Sequence, residues 1–172
     1  SYGKDPLFKE AVSELGQWIG NHGHRLIYGG SENGLMGVLA RNVLENGGEV
    51  IGVEPQFFID AGYVFDGLNE LIITEDMSER KKKMIELGDA FIAFPGGTGT
   101  LEEITEVMTK VSLAQLHAPC IIYNLNGYYD DLKRQLDKMI ECGLSSKERQ
   151  AGFSFVNNLE EIETILEMRD EK

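Results

Sequence analysis

The sequence predicts an α/β fold: a mostly parallel, doubly wound sheet with helices on both faces. Three observations predict it. Short continuous apolar runs such as Ala90-Phe91-Ile92-Ala93-Phe94 and Pro119-Cys120-Ile121-Ile122-Tyr123 have the length and composition of strands buried on both faces of a parallel sheet. These runs alternate with segments whose apolar residues recur every three or four positions, the helical period. Glycine pairs stand where a strand hands over to a helix, at Gly29-Gly30 and Gly96-Gly97. In such sheets ligands bind beyond the carboxyl ends of the strands, so both loops should open onto that edge.

Taken in order, the chain opens with a helix where this class of fold has a strand, and the first strand is expected to be absent from the N-terminus. Asp5-Pro6 supplies an N-cap acceptor and a proline at the first helical position, and Leu7, Ala11, Leu15, Trp18 and Ile19 give a buried stripe to about His22. A strand from Arg25 to Tyr28 runs into Gly29-Gly30-Ser31, and a helix begins at Gly34. The glycines of this loop suit a backbone cradle for phosphate or ribose; close packing of helix on sheet selects glycine as well. The companion loop after Pro95 favours ligand contact. Glu49–Val53 is the next strand, and residues 55–67 form a longer irregular connection rich in aromatic residues, suited to a lid or to base stacking. Leu71–Thr74 is a strand, and Asp76 or Ser78 caps a helix over Met77–Leu87 that carries the dense basic run Arg80-Lys81-Lys82-Lys83. Four consecutive helical positions cannot share one face, so one or two of these serve a pocket.

The stretch from Asp89 to Thr109 is the organising element. Pro95 ends the strand Ala90–Phe94; Gly96, Gly97 and Gly99 permit close backbone approach, and Thr98 and Thr100 add hydroxyls. From Thr100, Leu101, Ile104, Val107, Met108 and Val111 mark a helix whose N-terminal amides face whatever the loop holds. Strand, glycine turn and helix together read as a phosphate site. Glu102 and Glu103 are expected in the first helical turn, where a carboxylate suits the dipole but would repel a phosphate, so one facing the ligand would meet a sugar. Downstream come the strand Pro119–Tyr123, a turn at Asn124–Gly127, a helix over Tyr129–Cys142 stopped by Gly143, a strand Phe153–Val156, and a last helix capped by Asn158.

The 172 residues, 42% of them apolar, suffice for one sizeable core, and a single domain over residues 1–172 is expected. The net charge of −13 argues against nucleic acid and anionic lipid as partners. No apolar segment approaches a membrane span and no signal-peptide pattern opens the chain. Cys120 and Cys142 have neither metal-ligand spacing nor a disulfide-rich context, which suggests reduced thiols and a cytoplasmic protein. A nucleotide-triphosphate loop is excluded because no Gly-Lys-Ser/Thr follows the glycines, and the GxGxxG dinucleotide fingerprint is absent.

Pro95-Gly96-Gly97-Thr98-Gly99-Thr100-Leu101-Glu102-Glu103 resembles the PGGxGTxxE motif of the LOG family, the cytokinin riboside 5'-monophosphate phosphoribohydrolases long labelled lysine decarboxylase-like. Tyr28-Gly29-Gly30-Ser31 with Gly34-Leu35-Met36-Gly37 resembles the family's first glycine loop, Glu79-Arg80-Lys81 its arginine–lysine element, and Asn126-Gly127-Tyr128-Tyr129 a downstream match. The resemblance implies a Rossmann-like homodimer, built around the helix at Thr100–Leu116, that acts on a nucleoside 5'-monophosphate without metal or organic cofactor. It implies Arg80 and Glu103 as the catalytic pair. Substrate contacts are implied for Gly29, Gly30, Ser31, Gly34, Met36, Lys81, Pro95, Gly96, Gly97, Thr98, Gly99, Thr100 and Thr109. An acidic ligand contact of the family falls where this chain has Gly62, with Asp60 nearby.

The chemistry so implied is cleavage of an N-glycosidic bond, giving a free base, in the family an N6-modified adenine, and ribose 5-phosphate. Its transition state resembles a sugar oxocarbenium ion, which a nearby carboxylate stabilises or for which it activates water. Glu103 suits that role, while Arg80 could orient the carboxylate, clamp the phosphate or assist the departing base. A pyridoxal-phosphate decarboxylase finds no support, since no lysine stands out in an apolar setting. The rival from another class is a non-catalytic nucleotide or molybdenum-cofactor carrier, which needs the loops but not the carboxylate.

Overall fold

All six strands expected from the apolar runs form, and among the described residues the six strands pair in parallel. The structure, a computed structural model, describes residues 1–63 and 65–170, and the chain falls into two units divided after Gly88.

The first unit holds α1 (Pro6–Asn21), β1 (Arg25–Tyr28), α2 (Gly34–Glu45), β2 (Glu49–Pro55), α3 (Gln56–Asp60), β3 (Glu70–Thr74) and α4 (Met77–Leu87), with strand order β1-β2-β3. β2 is central and everything after Glu49 in it is buried, as its Val-Ile-Gly-Val composition requires. In register, Tyr28 faces Gly52 and Pro55 faces Thr74, so the carboxyl ends of the strands lie together. Asp5 caps α1 as expected, its Oδ1 accepting from the Leu7 N–H at 3.0 Å. The buried stripe of α1 includes Gly16 and Gly20 as well as Ala11, Leu15, Trp18 and Ile19. A Cβ at Gly16 would stand 2.8 Å from the Leu39 carbonyl oxygen, and one at Gly20 2.6 Å from that of Val43, so these glycines set how closely α1 and α2 approach. Asp76, not Ser78, caps α4, accepting from the Ser78 and Glu79 N–H groups at 2.8 Å.

The second unit holds β4 (Phe91–Ala93), α5 (Thr98–Ser112), β5 (Cys120–Tyr123), a 3-10 turn (Leu125–Gly127), α6 (Asp130–Glu141), α7 (Lys147–Gln150), β6 (Phe153–Val156) and α8 (Leu159–Asp170), with order β4-β5-β6. β5 is buried throughout and forms the core with Ala93, Ile104, Val107, Met108, Leu136, Val156 and Ile162. Each such aliphatic side chain contributes roughly 1.5–3 kcal/mol by leaving water. Charged pairs such as Lys133–Asp137 on α6 lie on exposed surface, where they add little. Asn158 caps α8, its Oδ1 accepting from the Glu161 N–H at 2.9 Å.

Three local expectations change. The connection over residues 55–67 is not wholly irregular: Pro55 leads into α3, where Gln56 donates to the Asp60 carboxylate one turn on at 2.9 Å. α7 went unpredicted because four residues are too few to show a period; Ser146 starts it by accepting from the Arg149 N–H. Helix α5 begins at Thr98 rather than Thr100, so Glu102 and Glu103 lie in its second turn and the glycine loop itself supplies the first.

Two predictions follow from the capping and from burial. Asp76→Ala removes two N–H acceptors at the start of α4 and is expected to lower stability by about 1 kcal/mol in urea unfolding. Burial pushes the Cys120 thiol from 9.0 up to about 12 and the Tyr129 phenol from 10.0 up to about 12, and it raises the Tyr28 phenol as well. Each folded value lies above the unfolded one, so stability is intact below about pH 9 and is lost as pH rises through 12. The urea midpoint should fall over that window; a midpoint flat to pH 12 would contradict the burial.

Candidate functional site

In the first unit, the carboxyl ends of β1 and β2 converge on one buried guanidinium. Arg80 projects from α4 and is 7% exposed; its Nε donates to the Val53 carbonyl oxygen at 2.9 Å. A Cβ on Gly29 would fall on Arg80 Nη2 and within 2.7 Å of the Met36 methyl. Glycine at 29 is thus what lets the charge lie against the end of β1. Gly30 has φ +82°, and a Cβ there would stand 2.5 Å from Glu54 Cγ, so conformation and space both demand glycine. Glu54 is 3% exposed. Together with burial, its carboxylate raises the Tyr28 phenol, whose hydroxyl donates to the Ser31 carbonyl oxygen at 3.3 Å. The loop after α3 is tied to the same point, Phe65 N–H donating to the Gly30 carbonyl oxygen at 3.0 Å.

Sequence reasoning singled out Arg80, Gly29, Gly30, Ser31 and Met36, and the structure gathers them. It missed Glu54. The signal was present as a lone acid closing the apolar run Val50-Ile51-Gly52-Val53, at a strand end where parallel sheets place functional groups. Gly34 and Gly37 have internal reasons to be glycine: a Cβ would strike the Ser1 backbone or the Glu32 carbonyl oxygen, respectively. Of the basic run, Arg80 is buried, Lys81 half-buried, and Lys82 exposed and paired with Glu86.

In the second unit, β4 ends in the loop Phe94-Pro95-Gly96-Gly97, with Gly97 as the N-cap of α5. No side chain caps this helix, and its first-turn amides have no intrahelical acceptor. Gly96 is fixed from within, because a Cβ would strike the Thr100 hydroxyl. Gly97 and Gly99 are different. Neither has a positive φ, and a Cβ on either would meet nothing within 4 Å. Packing within the chain therefore does not explain them.

Glu103 is half-buried, one turn along α5 from Thr100 on the same side of the helix, while Glu102 is exposed. Thr109 lies about 16 Å along the axis from Thr98, and its hydroxyl donates to the Thr105 carbonyl oxygen at 2.9 Å. Tyr128 and Tyr129, noted in the sequence without a role, touch the loop: their hydroxyls donate to the carbonyl oxygens of Gly96 at 2.6 Å and Phe94 at 2.8 Å.

A family model described as possible lysine decarboxylase matches residues 36–166. The chain belongs to this family, the LOG family of the sequence resemblance. A probable cytokinin riboside 5'-monophosphate phosphoribohydrolase of Oryza sativa subsp. japonica, LOGL5, is 40% identical over 146 residues, which are 85% of this chain and 59% of that protein. The cytokinin riboside 5'-monophosphate phosphoribohydrolase of Rhodococcoides fascians is 44% identical over 133 residues, 76% of this chain and 66% of that protein. The chain thus spans about three fifths to two thirds of these relatives' length. Among solved structures, the molybdenum cofactor binding protein of the phototrophic bacterium Rippkaea orientalis superposes with a TM-score of 0.73 at 22% identity, over 97% of this chain and 90% of that one. That likeness establishes the Rossmann-like α/β fold.

A Schiff-base lysine is activated by desolvation, and among the described residues Glu54 and Arg80 are the buried charged groups, with no lysine among them. Among the described residues, no group of three or more His, Cys, Asp or Glu side chains could hold a metal ion, and no helix is long and apolar enough to cross a membrane.

The two kinds of glycine should separate experimentally. Gly29→Ala displaces the Arg80 guanidinium and is expected to cost about 1–3 kcal/mol of stability. Gly97→Ala meets no atom, so stability should stay within about 0.5 kcal/mol of wild type while affinity for inorganic phosphate falls. Thermal melting and phosphate titration of both variants check this contrast.

Proposed function

We propose that this chain is a phosphoribohydrolase that cleaves the N-glycosidic bond of an N6-modified adenosine 5'-monophosphate, releasing free base and ribose 5-phosphate. The observation that carries the proposal is the pair of glycines, Gly97 and Gly99, at an uncapped helix N-terminus with Glu103 one turn further on. Bare amides favour the phosphate. The half-buried carboxylate is set back from it along the helix, where it would face the ribose and stabilise the developing sugar cation or activate the attacking water. Gly96, Gly97, Thr98, Gly99 and Thr100 are assigned to the phosphate. Arg80, held at the strand ends of the first unit, is the proposed cationic partner in the reaction, through the phosphate or the departing base. The names of the 40% and 44% identical relatives support the same chemistry.

The protein acts as a homodimer in this reading, supported by Leu101 on α5 and Leu113 at its C-cap, large apolar side chains left exposed. A sedimenting mass of one chain would overturn that assignment. A cytoplasmic location fits the two free thiols, Cys120 and Cys142.

The decisive experiment measures free base released from AMP, N6-isopentenyl AMP and the matching nucleoside. Both monophosphates should be hydrolysed, the modified one faster, and the nucleoside should not. Glu103→Ala should lower kcat about a hundredfold or more. Nucleotide binding with no base release, indifferent to the substitution, would instead make the protein a carrier.

A further inference from the structure

The proposed reaction leaves the segment Asn126-Gly127-Tyr128-Tyr129 without a task, yet the structure builds it with care. The 3-10 turn needs two left-handed residues, Asn126 at φ +51° and Gly127 at φ +73°. Asn124 is buried and spends its amide on the next helix start: Oδ1 accepts from the Tyr129 N–H at 2.6 Å and Nδ2 donates to Asp130 Oδ1 at 2.8 Å. The two tyrosine rings stand edge to face, 4.9 Å apart at 89°, so neither turns independently.

Their hydroxyls divide the backbone of the glycine loop between them. Tyr129 donates to the Phe94 carbonyl oxygen at 2.8 Å. Tyr128 donates to the Gly96 carbonyl oxygen at 2.6 Å. The peptide joining Gly96 to Gly97 is planar and trans, so its C=O and N–H project to opposite sides. Fixing the Gly96 carbonyl on Tyr128 therefore fixes the direction of the Gly97 N–H. A peptide between two glycines would otherwise flip at little steric cost.

We propose that Tyr128 is a positioning residue for phosphate recognition: its hydroxyl locks the Gly96–Gly97 peptide so that the Gly97 N–H points away from the tyrosine, to the open side of the loop, as a donor to the 5'-phosphate. The inference rests on the phosphate assignment made above. Tyr128 itself does not touch the ligand; it acts through the peptide. Because the phosphate is held alike in ground and transition states, loss of the lock weakens binding and leaves the chemical step alone.

The test is Tyr128→Phe, which keeps the ring packing and removes one hydroxyl from a side chain that is half exposed. KM for the monophosphate is expected to rise about tenfold with kcat unchanged, the size of one lost hydrogen bond. In parallel, inorganic phosphate is titrated into 15N-labelled protein and the Gly97 amide resonance is followed; the variant should need about tenfold more phosphate for the same shift. A purely structural tyrosine would lower the melting temperature without moving KM or the phosphate titration, and that result overturns the proposal. So does a wild-type Gly97 resonance that ignores phosphate. A wild-type protein whose Gly97 responds to phosphate but which releases no base sinks the hydrolase reading and leaves the peptide lock standing.

Discussion

A buried guanidinium must find its partners inside the protein, and much of the first unit is arranged to meet that demand for Arg80. Burying a charge without hydrogen bonds is among the costliest things a fold can do. The Val53 carbonyl oxygen, two residues before the end of β2, takes the Nε donor, which requires α4 to start where it does, and Asp76 sets that start. The end of β1 must then present no side chain, hence Gly29. One interaction thus ties the termini of two strands to the N-terminal turn of a helix. The carboxyl edge of the sheet is held by electrostatics, whereas Val50, Val53 and their neighbours hold its centre by exclusion of water.

The second unit solves the same geometrical problem with neutral groups. Past Ala93 the strand ladder stops, Pro95 has no N–H to offer, and the carbonyls of Phe94 and Gly96 need donors. Two phenols supply them. A tyrosine hydroxyl held well above its ordinary pKa by burial remains a donor throughout the physiological range, as Tyr129 does. The loop is therefore rigid without any charge of its own, and an anion arriving there would meet no built-in carboxylate in the first turn. The shift of α5 to Thr98 is part of this, since it moves Glu102 and Glu103 out of the turn nearest the loop.

How much of this could be read from the sequence follows from the range over which each cause acts. Strands such as Cys120–Tyr123 and caps such as Asp5 and Asn158 depend on residues within a few positions, and the sequence displays them directly. The glycine loops were legible as loops, and Arg80 was singled out of a run of four basic residues by family resemblance. What stayed hidden depends on contacts between distant segments: Glu54 against Gly30, Tyr128 on Gly96 thirty-two residues away, and Gly16 and Gly20 against the carbonyls of α2. No periodicity reports such pairs. The start of α5 was misplaced because Gly97 caps it with no side chain, so the usual Ser, Thr or Asp marker was missing.

The glycines described above also differ in what keeps them. Gly29, Gly30 and Gly96 are held by the fold itself, since any side chain there collides with a neighbour. Gly97 and Gly99 have no such guard, and a Cβ added at either meets no atom within 4 Å. On the phosphate assignment proposed above, a descendant that ceased to use its ligand would remain a stable protein, and drift would reach those two positions first. Its sequence would keep the skeleton of the motif, Pro95-Gly96 and Thr100, with the open glycines gone. The motif is therefore two inscriptions written over each other, one recording architecture and the other recording use, and only the second fades when use ends.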